Sequence, residues 1–404
     1  MSHAIAVPPS KSMTQRALVL AALAESPTTV VGPLDCDDSR RLREVLAALG
    51  ATIEASASGD ALRILPAPLP LRGSERALFC GNAGTVVRFA APLSLLCEGA
   101  LHLDGDEHMR RRPLGPLTTA LAALGVEARH LAAPGCPPVM LRRASEVGAS
   151  VTVDASLSSQ FVSGLLLVAP LLPQGLRISQ LGEAVSRSYV AMTVAMMRDR
   201  GCALIEPDAR TFVVSCGRPQ GGTITIEPDW SAAAFILAAA RITGLDLTPA
   251  SALPAAASLQ GDAAVTGLLE RLDAGSDEVF DLTDVPDLIA PLTVAALFAS
   301  GSTRIRGAAH TRVKESDRVA VLARELRKIG ATIEAHDDGL DVEPLRDAPS
   351  APVELDPDGD HRMAMAFGLV SLAYPRVTVS DPDCVTKSFP TFWAVLEEIR
   401  RMRR

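Results

Sequence analysis

Two bases and two acids stand within six positions in the segment VKESDR, residues 313 to 318, although only 21% of the chain is charged. Carboxylates and ammonium groups this close together can move protons to and from a bound molecule and can hold its negative charge. The same spacing also suits the exposed start of a helix, where i,i+3 and i,i+4 ion pairs contribute a few tenths of a kcal/mol each. Considered alone, VKESDR favours the exposed helix, and a chemical role depends on the residues beside it.

Further bases, acids and hydroxyls stand where apolar segments begin. Helix starts carry unpaired N–H groups and the positive end of the helix dipole, so several starts side by side form an anion site. Arg and Lys side chains there suit a ligand with phosphate or carboxylate groups. Each stretch alone has a plainer explanation as a turn or a helix cap. The residues at these starts are Lys11, Ser12 and Arg16; Asn82, Gly84, Thr85 and Arg88; Ser158, Ser159 and Gln160; Asp229; Asp287; and Asp360, His361 and Arg362.

The helices that must carry these residues follow two patterns, each of which occurs six times. One is a polar start, a nearly all-apolar helix and a β-rich run, as in SKSMTQRALVLAALAESPTTVVG. The other is an amphipathic helix that often ends in Gly and precedes an alternating stretch, which predicts a β-hairpin. VKESDR follows the Asp287 helix and the strand STRIRG. Because it follows these two elements, VKESDR is expected to lie beside the predicted anion site. This position favours a catalytic role for its charged residues over that of an exposed helix turn.

The repeat predicts an α/β fold of two lobes, each with three helix-strand-helix-hairpin units. We place one lobe at residues 10–227 and the other at 1–9 together with 228–404, with the active site in the cleft between them. The copy LLERLDAGSDEVFDLTDVPD leaves little room for a hairpin, so we expect that unit to be trimmed. The N-terminal strand HAIAVP has no local partner and is expected to complete the lobe of the last three units.

Composition excludes several classes of protein. The longest apolar runs are about a dozen residues, too short for the roughly 20 of a membrane span, and no targeting segment is visible, which predicts a cytoplasmic protein. The seven cysteines are scattered without ligand spacing, so we expect no metal site. A net charge of -8 argues against a nucleic-acid partner.

Nine motifs follow one another across almost the whole chain: PPSKSMTQR, GNAGTVVR, RRRPLGPL, SLSSQF, SRSY, VPDLIAPL, RVKESDR, DGDHRMAMAF and DPDCVTKSFP. Taken together and in this order, they resemble the 5-enolpyruvylshikimate-3-phosphate (EPSP) synthase family. The resemblance implies a two-lobed inside-out α/β barrel that closes on its substrates. It also implies transfer of the enolpyruvyl group of phosphoenolpyruvate to the 5-hydroxyl of shikimate 3-phosphate, with no cofactor or metal. The partners we expect are these small anionic substrates, with no nucleic acid and no membrane, and the protein is expected to be a monomer.

The resemblance also implies site residues. For shikimate 3-phosphate they are Lys11, Ser12, Arg16, Ser158, Ser159, Gln160, Ser186, Tyr189, Asp287 and Lys314. For phosphoenolpyruvate they are Lys11, Asn82, Gly84, Arg88, Arg112, Gln160, Glu315, Arg318, His361, Arg362 and Lys387. The catalytic residues would be Asp287 for the hydroxyl proton and Glu315 for the methylene proton, with Lys11 and Lys314 supporting charge; Asp317 is left as a structural partner.

One departure from the family pattern and one alternative function bear on the site. Phe89 follows Arg88, where the family usually has Pro, and this helix lines the phosphoenolpyruvate pocket in the family. The alternative is a non-catalytic, anion-binding paralogue, which predicts loss of acids and retention of bases. Asp287 and Glu315 are both present, which favours the enzyme. The related transferase that acts on UDP-N-acetylglucosamine usually carries a Cys in the loop at residues 104 to 115, and none is present here.

Overall fold

A computed structural model describes residues 2–144, 146–251, 254–272 and 279–403. The chain divides into two compact units. One is Pro9–Ile226, and the other combines Met1–Pro8 with Glu227–Arg404. Each unit has its own continuous core of buried aliphatic residues.

Within the described residues, six apolar helices alternate with six amphipathic ones, as the two sequence patterns predict. Along the first helix every residue from Met13 to Leu23 is buried, whereas the second exposes one face. None of the described helices combines the length and the apolar character that a membrane crossing requires. The helices are α1 Lys11–Leu23, α2 Asp37–Ala48, α3 Gly84–Leu93, α4 Gly115–Ala123, α5 Gln160–Val168, α6 Arg187–Asp199, α7 Trp230–Thr243, α8 Val265–Arg271, α9 Ile289–Ala296, α10 Arg318–Arg327, α11 His361–Ala373 and α12 Phe392–Met402.

The strands are short and lie between these helices. They are β1 His3–Ile5, β2 Thr28–Val31, β3 Thr52–Ala55, β4 Ala61–Leu65, β5 Leu71–Phe79, β6 Cys97–Asp104, β7 Val126–His130, β8 Val139–Arg143, β9 Ser150–Asp154, β10 Leu176–Leu181, β11 Leu204–Asp208, β12 Thr211–Val214, β13 Gly222–Thr225, β14 Leu247–Pro249, β15 Val279–Asp281, β16 Thr303–Arg306, β17 Ile333–His336, β18 Gly339–Val342, β19 Val353–Leu355 and β20 Val377–Val379.

The unit Pro9–Ile226 contains three four-stranded sheets of one design. Their strand orders are β13-β2-β4-β3, β5-β6-β8-β7 and β11-β12-β10-β9. In each sheet a hairpin pairs antiparallel with the strand that follows an apolar helix, and a further strand pairs parallel with that same strand. Because β13 returns to the sheet of β2, the last strand of the unit closes on its first sheet.

The described part of the other unit has one sheet of the same design, in the order β15-β16-β18-β17, and two parallel pairs, β1-β14 and β19-β20. The N-terminal strand completes this unit, as expected, because His3 pairs with Leu247 and Ile5 with Pro249. Within the described residues a hairpin follows α2, α4, α6 and α10, and α12 is the final element. Residues 273–278, in the repeat expected to be trimmed, lie outside the described residues.

Glycine allows the two apolar helices α3 and α5 to approach closely. A Cβ on Gly164 would lie 2.5 Å from the carbonyl oxygen of Arg88. We therefore expect Gly164→Ala to lower the free energy of unfolding by about 1–3 kcal/mol, because the helices must separate. Gly267→Ala is the control: nothing lies within 4 Å of its Cβ, so the new methyl group should stabilise α8 by about 0.5–1 kcal/mol. Urea denaturation of both variants checks this, and equal effects at the two positions would contradict the packing argument.

Candidate functional site

A carboxylate held by three cations lies just before α9. Asp287 Oδ1 accepts from Lys314 Nζ at 2.9 Å and from Arg318 Nη1 at 2.8 Å, and its Oδ2 accepts from Arg362 Nη2 at 2.8 Å. Burial opposes ionisation of this side chain, but the charges of Arg362, Lys314 and Arg318 outweigh it and hold the pKa of Asp287 well below its usual range. Asp287 is therefore a carboxylate at neutral pH, and it can take up a proton only when these cations find another anion.

Arg318 joins three carboxylates. Its guanidinium donates to Asp287, to Glu315 Oε2 at 3.2 Å and to Asp360 Oδ2 at 2.8 Å, and its side chain is 1% exposed. Burial alone would lower the pKa of Arg318, but the charges of Asp360, Asp287 and Glu315 raise it above its ordinary value. Asp360 also accepts from the backbone N–H of Arg362 and so caps α11. The capping residue Asp360 therefore also holds the Arg318 guanidinium, through its Nε.

Glu315 lies between two cations. Lys387 Nζ donates to its Oε1 at 2.9 Å, while Arg318 holds its Oε2. The side chains of Glu315 and Lys387 are 10% and 9% exposed, so water screens this ion pair only weakly. Lys387 comes from the 3₁₀ turn Pro382–Lys387, more than 70 residues along the chain.

The VKESDR segment differs from its expected position in one respect. The helix α10 begins at Arg318, so Lys314 and Glu315 lie in the turn before the helix and not in its first turn. Asp317 is the cap of α10, accepting from the Ala320 N–H, and pairs with Arg312 at 2.7 Å. Because Lys314 and Glu315 precede the helix, they form ion pairs with residues outside it: Lys314 pairs with Asp287 and Glu315 with Lys387.

His361 is the first residue of α11 and is 1% exposed. Its Nδ1 lies 3.5 Å from Asp360 Oδ1, so it neighbours the cap that holds Arg318. Arg362, the next residue, is the one that reaches Asp287. The first turn of α11 therefore contributes a buried imidazole and a guanidinium to the same cluster.

Asp262 is a further buried carboxylate of this unit, which the sequence patterns do not single out. It is 2% exposed and accepts from the hydroxyl of Ser231. Burial, together with the charge of Asp287, raises the pKa of Asp262 to about 6.

A pH effect on stability follows from Asp262. Between about pH 4 and 6 the native protein holds a proton on Asp262 that the unfolded chain releases, so stability falls as pH rises through this range. The variant Asp262→Asn removes this loss. We therefore expect the change in unfolding free energy from pH 4 to pH 7 to be about 1–3 kcal/mol more favourable in the variant than in the unaltered protein. Thermal unfolding of both proteins at the two pH values measures the difference; parallel pH profiles would contradict it.

The other unit, Pro9–Ile226, carries its own set of buried polar residues. Lys11, the first residue of α1, pairs with Asp38 Oδ2 at 3.0 Å, and the two side chains are 12% and 6% exposed. Ser10 caps α1 by accepting from the Met13 N–H. Asp38, in the acidic first turn of α2, is a residue that sequence reasoning missed.

Arg16 lies one turn further along α1 and is 2% exposed. Its Nη1 donates to the Ser12 carbonyl at 2.9 Å and its Nη2 to the Tyr189 carbonyl at 3.0 Å. Burial lowers its pKa to about 10, so it stays charged at neutral pH. Arg16 thus ties the segments that carry Ser12 and Tyr189 together.

Arg88 connects α3 to the start of α5. Its Nη1 donates to Gln160 Oε1 at 2.8 Å and lies 3.5 Å from Ser158 Oγ, and its Nη2 donates to the Pro113 carbonyl at 3.2 Å. Gln160 Nε2 in turn donates to Thr85 Oγ1 at 2.9 Å. Ser158 and the adjacent Ser159 are 9% and 5% exposed.

The start of α3 lies against Arg112. A Cβ on Gly84 would lie 2.6 Å from Arg112 Cζ, so only glycine leaves room for this guanidinium. Arg112 Nη1 also donates to the Asn82 carbonyl at 3.3 Å. The packing places a cation directly beside the N–H groups of a helix start, which is an arrangement suited to an anion.

Ser186 precedes α6 with a left-handed backbone, at a φ of 55° and a ψ of 40°. A non-glycine residue rarely adopts this conformation, and such strain often marks functional positions. The Tyr189 N–H donates to the Ser186 carbonyl at 3.1 Å, which fixes the turn. The predicted residues of this unit therefore lie at the starts of α1, α3, α5 and α6, and Arg112 before α4.

Comparisons with known proteins agree with these observations. A family model of EPSP synthase (3-phosphoshikimate 1-carboxyvinyltransferase) matches residues 1–396. The chain is 35% identical to the 3-phosphoshikimate 1-carboxyvinyltransferase of Shewanella loihica, over 96% of this chain and 94% of that protein. It is 36% identical to the 3-phosphoshikimate 1-carboxyvinyltransferase of Aliivibrio salmonicida, over 98% and 96% of the two chains.

Two solved structures share the fold. The EPSP synthase from Acinetobacter baumannii superimposes with a TM-score of 0.75 at 22% identity, covering 99% of this chain and 96% of that one. The enolpyruvyl transferase NikO from Streptomyces tendae gives 0.72 at 18% identity, covering 99% and 95%. The expected fold class is thereby confirmed, and the match along the whole sequence shows that the chain belongs to the EPSP synthase family.

Proposed function

We propose that the protein transfers the enolpyruvyl (carboxyvinyl) group of phosphoenolpyruvate to the 5-hydroxyl of shikimate 3-phosphate, giving 5-enolpyruvylshikimate 3-phosphate and phosphate. The family match along the chain supports this reaction. The observation that carries the assignment of roles is the cluster in which Arg318 joins Asp287 to Glu315. It is a transferase of the shikimate pathway, which leads to chorismate and aromatic amino acids, and we place it in the cytoplasm as a monomer.

The substrates are strongly anionic, and the buried cations provide their binding energy. We assign shikimate 3-phosphate to the hydroxyls and bases Lys11, Ser12, Arg16, Ser158, Ser159, Gln160, Ser186 and Tyr189, together with Asp287 and Lys314. We assign phosphoenolpyruvate to Lys11, Asn82, Gly84, Arg88, Arg112, Gln160, Glu315, Arg318, His361, Arg362 and Lys387. Guanidinium forks and helix N–H groups bind phosphate and carboxylate oxygens well because they donate several parallel hydrogen bonds.

Addition begins when the 5-hydroxyl oxygen attacks the enol carbon of phosphoenolpyruvate. Asp287 accepts the hydroxyl proton, and Glu315 gives a proton to the methylene carbon, which becomes a methyl group. The anionic substrate neutralises Lys387 and Arg318, the cations that otherwise hold Glu315 as a carboxylate, so Glu315 can carry this proton. The result is a tetrahedral ketal with all atoms of both substrates.

Elimination reverses one of these proton transfers. Glu315 takes a proton back from the methyl group, the bond from the ketal carbon to the phosphate oxygen breaks, and the carbon-carbon double bond forms again. The cations stabilise the charge that develops on the departing phosphate. Lys11 and Lys314 support this charge, and Asp287 passes the hydroxyl proton to the departing phosphate, which returns Asp287 to its starting state.

Product analysis tests the proposal. The purified protein, given both substrates, should release phosphate and form the enolpyruvyl ether in equal amounts, as followed by ³¹P nuclear magnetic resonance and mass spectrometry. Omission of shikimate 3-phosphate should abolish both. Binding of both substrates without any product would instead indicate an anion-binding paralogue that has lost the chemistry.

A further inference from the structure

The buried guanidinium of Arg16 lacks an acidic partner within its own unit. Its contacts are the carbonyls of Ser12 and Tyr189 and the hydroxyls of Thr193, at 2.7 Å from Nε, and Ser163, at 3.4 Å from Nη2. Within the described residues, no carboxylate lies at salt-bridge distance from it. An uncompensated buried charge is costly, so a feature of the fold must hold this cation in place.

That feature is an aromatic ring. The guanidinium carbon of Arg16 lies 5.3 Å from the ring centroid of Phe89, a residue of α3 that is 1% exposed. A cation at this distance from a desolvated ring is attracted by the negative face of its π-system. The same arrangement recurs one residue earlier along α3, where the Arg88 guanidinium lies 5.2 Å from the Phe161 centroid.

We propose that Phe89 is a positioning residue for shikimate 3-phosphate, because its ring orients the Arg16 guanidinium for an anionic group of that substrate. This inference rests on the proposed assignment of Arg16 to shikimate 3-phosphate. Phe89 supplies attraction without supplying a negative charge, so it holds the cation without competing with the substrate for it. An Asp or Glu at this place would neutralise the guanidinium instead.

The test is a double-mutant cycle on substrate binding. Phe89→Leu keeps an apolar side chain but removes the π face, and Arg16→Met removes the cation. We expect F89L to weaken shikimate 3-phosphate binding about three- to thirty-fold. The KM for phosphoenolpyruvate and kcat should change less than about twofold, since Arg16 is not assigned to that substrate. F89L added to R16M should weaken binding no further, because the ring then has no cation to hold.

Two further variants separate positioning from packing. Phe212→Leu is the matched control, because Phe212 is a buried ring of the same unit outside the site, at 5% exposure. It should lower the melting temperature but leave the Kd of shikimate 3-phosphate unchanged. If F89L does not fold, Phe89→Met, which fills the space more adaptably, gives the same comparison.

The outcomes separate this inference from the proposed function. If R16M weakens shikimate 3-phosphate binding and F89L does not, Phe89 has no positioning role and the assignment of Arg16 stands. If F89L weakens binding equally with and without Arg16, the effect is packing and the inference is wrong. If R16M leaves the Kd unchanged, the assignment of Arg16 fails and the inference fails with it.

Discussion

Replacing Glu315 with Gln is expected to lower kcat by about 10²- to 10⁴-fold, the range typical of a lost proton-transfer group. Gln keeps the length of the side chain, and its single amide oxygen can still accept from Lys387 or from Arg318, which lie 2.9 and 3.2 Å from the two carboxylate oxygens of Glu315. It cannot carry the proton that the methylene carbon needs. The KM values should change much less than kcat, because the two cations remain in place.

The chain offers a control for Glu315 within the same segment. Asp317→Asn keeps the cap of α10, since Asn is also a good cap, and loses only the ion pair with Arg312, whose side chains are 28% and 38% exposed. We expect this variant to retain kcat within about twofold. Rapid-quench measurement of a single turnover gives the rate for each protein. A Glu315→Gln enzyme as fast as Asp317→Asn would remove Glu315 from the mechanism.

Replacing Asp287 with Asn should affect both activity and stability. The side chain accepts from the half-buried Lys314 and the buried Arg318 and Arg362, and the variant leaves these cations without their common counter-charge. We expect kcat to fall by about 10²- to 10⁴-fold, because the acceptor of the hydroxyl proton is lost. The unfolding free energy at pH 7 should fall by about 2–4 kcal/mol.

The pH dependence of this stability loss provides an independent check. The native pKa of Asp287 lies below its unfolded value, so its contribution is complete above the unfolded pKa and disappears as pH falls through the native pKa. The stability difference between the two proteins should therefore be constant near neutral pH and shrink in strong acid. Urea denaturation across this range measures it. A difference that does not depend on pH would show that geometry, not charge, is responsible.

Much of the fold was predictable because its signals are local and repeated. The contrast between a helix such as α1, which is apolar after a polar start, and an amphipathic one such as α2 is visible along the sequence of each helix. Six repetitions make the pattern hard to mistake. The lobe that the N-terminal strand joins was predictable for a different reason: no neighbouring segment could pair with this strand. Its partner, β14, belongs to the last three repeats, and only the structure identifies it.

The side-chain contacts within the candidate site were less predictable because the residues that contact each other are far apart in sequence. The charges of VKESDR allow an ordinary helix start, and only the folded chain brings Asp287 and Lys387 to Lys314 and Glu315. The partnership of Lys11 with Asp38 depends in the same way on how α1 packs against α2. A helix-start pattern predicts where such residues lie but not which atoms they contact.

The measurement that tests the central claim most directly is deuterium uptake from heavy water into the methylene group of the product. If Glu315 adds a deuteron to the methylene carbon, the resulting methyl group rotates about its single bond, and Glu315 then removes any one of its three hydrogens, the product accumulates solvent deuterium at that carbon. We predict deuterium in the vinyl methylene of the enolpyruvyl ether, and neither exchange nor turnover in Glu315→Gln. Product formed at the ordinary rate with an undeuterated methylene would contradict addition followed by elimination, and with it the role assigned to Glu315.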